Sequence, residues 1–241
     1  MRLGYNWKTG PFELIDKIGP SWLANALKAD GEEVPTLLTA VGDKNFYQIE
    51  SGQLQHFTGS SYEPVQRPAG VLLLQDIKRS SQPIFKNMSA SVWDIGDGVA
   101  CLEFTSKMNS LNPFILSMIN KAVSDLPSRG FKAMVIHNEG SNFSVGANIA
   151  PLLYGAKLRL WPFVRWVLKH GQDTFQRMRF APFPVVGAPS GMALGGGCEV
   201  LLHCDAIIAH SETYIGLVEA GVGIVPGWGG CKELLGRWSE S

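Results

Sequence analysis

The chain has 241 residues, 45% of them hydrophobic, with 21 lysines and arginines balanced by 21 aspartates and glutamates. That is enough apolar sequence for a real core, and the zero formal net charge gives no electrostatic bias toward nucleic acid. No apolar run reaches the roughly 18 residues of a membrane span; the longest candidate, Leu158 to Leu168, is broken by Arg159, Pro162 and Arg165.

The four cysteines, Cys101, Cys198, Cys204 and Cys231, have neither metal-ligand spacing nor a disulfide framework. The scattered histidines imply no metal. Reduced thiols and a cytoplasmic location are therefore expected.

In chain order, the pattern divides near residue 88. The first part opens with a loop rich in glycine and aromatics, and a short helix is expected from Pro11. From Ala90 to Ile95 and Val99 to Phe104, around Gly96-Asp97-Gly98, the pattern predicts an antiparallel hairpin. A helix follows, capped by Asn112 with Pro113 in its first turn. Ile115, Met118, Ile119, Ala122, Val123 and Leu126 repeat on one face of it. A buried strand at Ala133 to Ile136, a helix-rich insert from about Ala150 to Phe180 and a strand at Pro184 to Ala188 complete an alternating α/β pattern.

The chemistry concentrates in Gly191-Met192-Ala193-Leu194-Gly195-Gly196-Gly197-Cys198-Glu199, with Glu219 further on in Gly216-Leu217-Val218-Glu219-Ala220-Gly221. Successive glycines let a backbone approach a ligand closely, and their N–H groups, at the start of a helix, favour a developing oxyanion. An isolated glycine triplet is more often a packing device. Here it is accompanied by Phe143-Ser144-Val145-Gly146-Ala147-Asn148-Ile149, which offers a second N–H, and by the loop from Gly221 to Gly230.

Taken together, FSVGANI, SGMALGGGCE and IGLVEAGVGIVPGWGG resemble the crotonase family, the enoyl-CoA hydratase and isomerase superfamily. The resemblance implies a core of stacked ββα turns and hydration of a trans-2-enoyl-CoA to a 3-hydroxyacyl-CoA. It implies an oxyanion hole from the N–H groups of Val145 and Gly196, with Glu199 activating water and Glu219 delivering a proton to the α-carbon. The two carboxylates are expected to share one proton. Ala147, Gly195, Gly197, Pro226 and Gly227 are expected against the substrate. The coenzyme A thioester is the substrate, no further cofactor is implied, and a homo-oligomer is expected of the intact protein. Asn148 stands where the family usually has Asp, Ala150-Pro151 where a lysine is often found, and Val218 where many members have proline. The alternatives are double-bond isomerisation and a non-catalytic crotonase-fold scaffold. Trp161, Phe163, Trp166 and Val167 are candidates for shaping the acyl pocket.

Gly4-Tyr5-Asn6-Trp7-Lys8-Thr9-Gly10-Pro11-Phe12-Glu13-Leu14-Ile15-Asp16-Lys17-Ile18-Gly19 resembles a segment of the C-terminal helical domain of 3-hydroxyacyl-CoA dehydrogenases. That implies residues 1–60 as a remnant of this domain, 61–88 as a linker, and 89–241 as a crotonase-like core without its usual C-terminal helices. The chain would then be a piece of a bifunctional fatty-acid β-oxidation protein. No GxGxxG fingerprint is present to hold NAD.

Overall fold

A computed structural model describes Trp7 and residues 9–239. Residues 1–6, 8, 240 and 241 lie outside it, and with them most of the stretch from Gly4 to Thr9. The chain forms two compact units, one up to Ser81 and one from Gln82. The boundary thus falls earlier than the composition break near residue 88.

The first unit begins with helices α1 (Pro11–Ile18), α2 (Pro20–Ala29) and α3 (Thr36–Val41). Pro11 takes the first helical position, where its missing N–H costs nothing, and Glu13 reaches back to accept from the Gly10 N–H at 2.6 Å. These helices are followed by an antiparallel sheet of β1 (Tyr47–Glu50), β2 (Gln53–Phe57) and β3 (Tyr62–Pro64). Ser51 and Gly52, both at positive φ, close the β1–β2 hairpin in the geometry that suits strand twist. Asp16 ties α1 to this sheet by accepting from the N–H groups of Phe46 at 2.6 Å and Tyr47 at 2.9 Å. The core is small, with Leu38, Val41 and Phe46 fully buried. The expected linker is partly ordered structure: β3 lies in it, as does α4 (Leu74–Ser80), where Asp76 is paired with Arg67 and Arg79.

The second unit carries the alternation read from the sequence. An antiparallel edge of β4 (Phe85–Lys86), β5 (Ala90–Asp94) and β6 (Val99–Phe104) continues into parallel strands β7 (Ala133–Ile136), β9 (Val185–Gly187) and β11 (Ala206–Ile207). A second, all-parallel sheet holds β8 (Asn142–Ser144), β10 (Met192–Leu194) and β12 (Tyr214–Gly216). The chain therefore repeats one move: a strand in the large sheet, a strand in the small sheet, then a return. α5 (Pro113–Asp125) precedes the first of these turns. α6 (Ala150–Lys157) and α7 (Trp161–Arg179) make one return, and α8 (Gly196–Leu202) makes the next. α9 (Gly230–Ser239) is the last described helix. This is the stacked ββα core expected from the motifs.

Asn112 accepts from the N–H groups of Phe114 and Ile115 at 3.0 and 3.1 Å, a cap worth about 1 kcal/mol. α5 buries Ile115, Met118, Ile119 and Ala122 in the same core as Val92, Leu102 and Met134 of the large sheet. Among the described residues no helix is long and apolar enough to cross a membrane.

Candidate active site

The site sits where the small sheet hands over to α8. Gly146 has φ +89°, and a β-carbon built on it would lie 2.8 Å from the Leu194 carbonyl oxygen and 3.1 Å from the Gly196 nitrogen. Only glycine allows both the conformation and the approach. One step along α8, a β-carbon on Gly197 would lie 2.5 Å from the Ser144 carbonyl oxygen. The glycine run is thus the means by which α8 packs directly on β8.

The positive φ at Gly146 also decides which amide faces the site. Val145 donates to the Met108 carbonyl at 3.4 Å, Gly146 donates to Ser144 Oγ at 3.2 Å, and Asn148 donates to the Leu111 carbonyl at 3.4 Å. Ala147, bridged to Leu111, has no acceptor for its N–H among the described residues, and a β-carbon on Gly196 would lie 3.3 Å from that nitrogen. The free amide beside Gly196 is therefore that of Ala147, not the expected Val145, whose N–H is turned to Met108.

Glu199, in the first turn of α8, is 2% exposed. Its Oε1 accepts from the backbone N–H groups of Trp228 at 2.8 Å and Gly230 at 2.9 Å, which join it to the loop before α9. Burial raises its pKa from the ordinary carboxylate value, the Gly230 and Trp228 amides oppose that rise, and the charge of Glu219 adds to it least. Desolvation rather than mutual repulsion thus dominates Glu199. The neighbouring Cys198 thiol is pushed up to about 11, mainly by the same burial.

Glu219 opens a single 3-10 turn, is 8% exposed, and has a buried Oε2 without a hydrogen-bond partner among the described residues. A β-carbon on Gly195 would meet its Oε1 at 3.4 Å. The two glutamates are thereby brought to the same short stretch of backbone, one on α8 and one beside Gly195.

An apolar pocket of about 200 Å³ opens at Ala147 and Asn148, with Leu111, Leu116, Leu152, Phe163, Val167 and Trp228 among its walls. The Trp228 indole lies across the back. A β-carbon on Gly196 would meet its Cζ3 at 3.2 Å, while one on Gly171 of α7 would meet its Nε1 at 2.2 Å, and the ring packs edge-on to Phe175. Of the other expected contact residues, Gly195 donates to the Gly216 carbonyl at 2.9 Å. Gly197 faces β8 rather than the pocket, because its missing side chain makes room for Ser144. Pro226 and Gly227 do not line the pocket, and the Gly227 carbonyl instead accepts from Gln172 at 2.7 Å. Asn148 lies two residues before the start of α6 and its side chain accepts from the Ala150 N–H at 3.1 Å.

Behind Glu199 lies a buried polar group that the motifs did not reveal. His203 Nδ1 lies 2.7 Å from the Glu199 carbonyl oxygen, and its Nε2 lies 3.8 Å from Glu233, which also pairs with Arg179 at 2.5 Å and Lys232 at 2.9 Å. Burial lowers the pKa of His203 and favours its neutral ring. Burial alone would raise Glu233, but Lys232, His203 and Arg179 together hold it below its ordinary value. A carboxylate directly after a lysine in a glycine-flanked helix start was the available signal, and it is a weak one.

The enoyl-CoA hydratase/isomerase family model matches residues 94–237. A probable 3-hydroxyacyl-CoA dehydrogenase from Bacillus subtilis is 40% identical over 237 residues, 97% of this chain and 30% of that protein. A putative fatty acid oxidation complex trifunctional enzyme from Rickettsia felis is 33% identical over 98% of this chain and 30% of its own length. The chain thus spans about 30% of these curated relatives. Among solved structures, an enoyl-CoA hydratase from Bacillus anthracis superposes with a TM-score of 0.55 at 27% identity, covering 61% of this chain and 57% of that one. With the family match covering the small parallel sheet, the large sheet from β6 onward and both glutamates, the chain belongs to the enoyl-CoA hydratase/isomerase family of crotonase folds.

Proposed function

We propose that the site hydrates trans-2-enoyl-CoA thioesters to 3-hydroxyacyl-CoA in fatty-acid oxidation. The observation that carries this reading is that two buried glutamates, near enough for the charge of Glu219 to act on Glu199, accompany two neighbouring amides, Ala147 N–H and Gly196 N–H, that have no acceptor among the described residues. The thioester oxygen rests between those amides. They stabilise the enolate charge that builds there, at about 3–4 kcal/mol per donor.

Glu199 is anchored through Oε1, which leaves Oε2 to take a proton from water as its oxygen adds to the β-carbon. Glu219, whose Oε2 has no partner among the described residues, holds the proton delivered to the α-carbon. One C–O and one C–H bond form as the double bond is lost, and the elements of one water are added. The apolar pocket at Ala147 takes the acyl chain. The chemistry asks for no cofactor beyond the thioester. The unit before Ser81 is in this reading derived from a 3-hydroxyacyl-CoA dehydrogenase. Its support is the alignment of almost the whole chain with the Bacillus subtilis relative.

The test is loss of enoyl absorbance from crotonyl-CoA, with Glu199→Gln and Glu219→Gln beside the parent. Each substitution is expected to lower kcat by about 10²–10⁴. Turnover unchanged by either would overturn the assignment. A 3-enoyl-CoA shifted to the 2-enoyl isomer by Glu199→Gln but not by Glu219→Gln would mark the site as an isomerase, since that reaction needs one base.

A further inference from the structure

We propose that the stacked side chains of Trp166 and His170 form the partition that sets the acyl-chain length the site accepts; this rests on the acyl-CoA reading above. Residues at positions i, i+3 and i+7 share one face of a helix, and on α7 they are Phe163, Trp166 and His170. Their rings form a ladder. The Phe163 and Trp166 centroids are 6.4 Å apart at 24°, and those of Trp166 and His170 are 5.4 Å apart at 6°.

Two cavities meet at this ladder. The first is the apolar pocket of about 200 Å³ that begins at Ala147. The second, about 510 Å³, is open and has Trp161, Arg165, Lys169 and Asp173 in its walls. Trp166 and His170 are the two residues that line both.

The chemistry changes across the stack. On the near side a methylene chain meets Leu116, Leu152 and Val167, and each buried methylene is worth about fourfold in affinity. On the far side stand Arg165 and the Lys169–Asp173 ion pair at 3.0 Å, where a methylene gains little. An acyl chain therefore tightens carbon by carbon until it reaches the indole and then stops gaining. Removing the indole joins the two cavities and moves that limit outward. Trp166 is 55% exposed, so its removal takes little from the core.

The experiment is calorimetric binding of saturated butyryl-, octanoyl-, dodecanoyl- and hexadecanoyl-CoA to the parent, Trp166→Ala and Trp166→Phe. Saturated chains report binding without turnover. In the parent, affinity is expected to rise with length and then level off. Trp166→Ala should shift the plateau to longer chains while keeping butyryl-CoA within about threefold, and Trp166→Phe should keep the parental plateau. A plateau at the same length in Trp166→Ala, with butyryl-CoA still bound, overturns the partition and leaves the acyl-CoA reading intact. A parent that binds none of the four overturns both.

Discussion

Around Gly196 the site is built backbone against backbone, with Gly196, Gly197, Glu199 and Val200 all buried, whereas along α7 it is built from side chains, Phe163 at 40% and Trp166 at 55% exposed. The floor has no freedom to vary, because its shape is set by carbonyls and amides that every residue carries. The wall can change its shape with one substitution and leave the core alone. Under the proposed function the floor carries the chemistry and the wall the selectivity.

The largest effect expected from this contrast is at Gly197. A methyl group there meets the Ser144 carbonyl oxygen at 2.5 Å, and neither partner is a side chain that can turn away. Gly197→Ala is expected to cost about 3 kcal/mol and to abolish hydration, readable as a fall in Tm together with lost turnover. Retained activity at parental Tm would show that the floor yields.

An intermediate effect concerns Glu199. The folded protein holds the Glu199 proton more tightly than the unfolded chain does, because burial raises its pKa above about 4.5. The stability that this gives is fully present below that pH and is lost as pH rises through the raised value. Glu199→Gln keeps an oxygen to accept from Trp228 and Gly230 but carries no charge. The Tm of this variant relative to the parent is therefore expected to climb as pH rises from about 4.5, and a pH-independent gap would contradict the desolvation account.

The smallest effect is at the wall. Trp166→Ala, the variant that moves the chain-length limit, is expected to stay within about 0.5 kcal/mol of the parent by thermal melting, as surface substitutions usually do. A loss as large as that at Gly197 would erase the distinction between floor and wall.

Much of the second unit was legible in the sequence because local signals agreed with the fold. The Gly96-Asp97-Gly98 turn, the Asn112 cap and the apolar face of α5 each act within a few residues, and the three motifs marked the floor and both glutamates. The choice between Val145 and Ala147 was not legible. Adjacent amides in a turn differ only in the direction their peptides face, and that is set by φ +89° at Gly146 and by Met108, which is distant in sequence. The inward-facing Gly197 was hidden for the same reason, since its partner Ser144 lies on another strand. The sheet of the first unit was missed because β1 and β2 are short and half exposed, without the apolar alternation that identifies a strand. His203 and Glu233 escaped because a buried polar pair has no local pattern.

The most direct test of the floor is amide NMR of the chain titrated with 3-hydroxybutyryl-CoA. The Ala147 and Gly196 amide protons should move downfield together as the thioester oxygen accepts from them, while Val145, held by Met108, moves little. A titration in which Val145 shifts and Ala147 does not, or in which bound ligand leaves all three in place, would contradict the account.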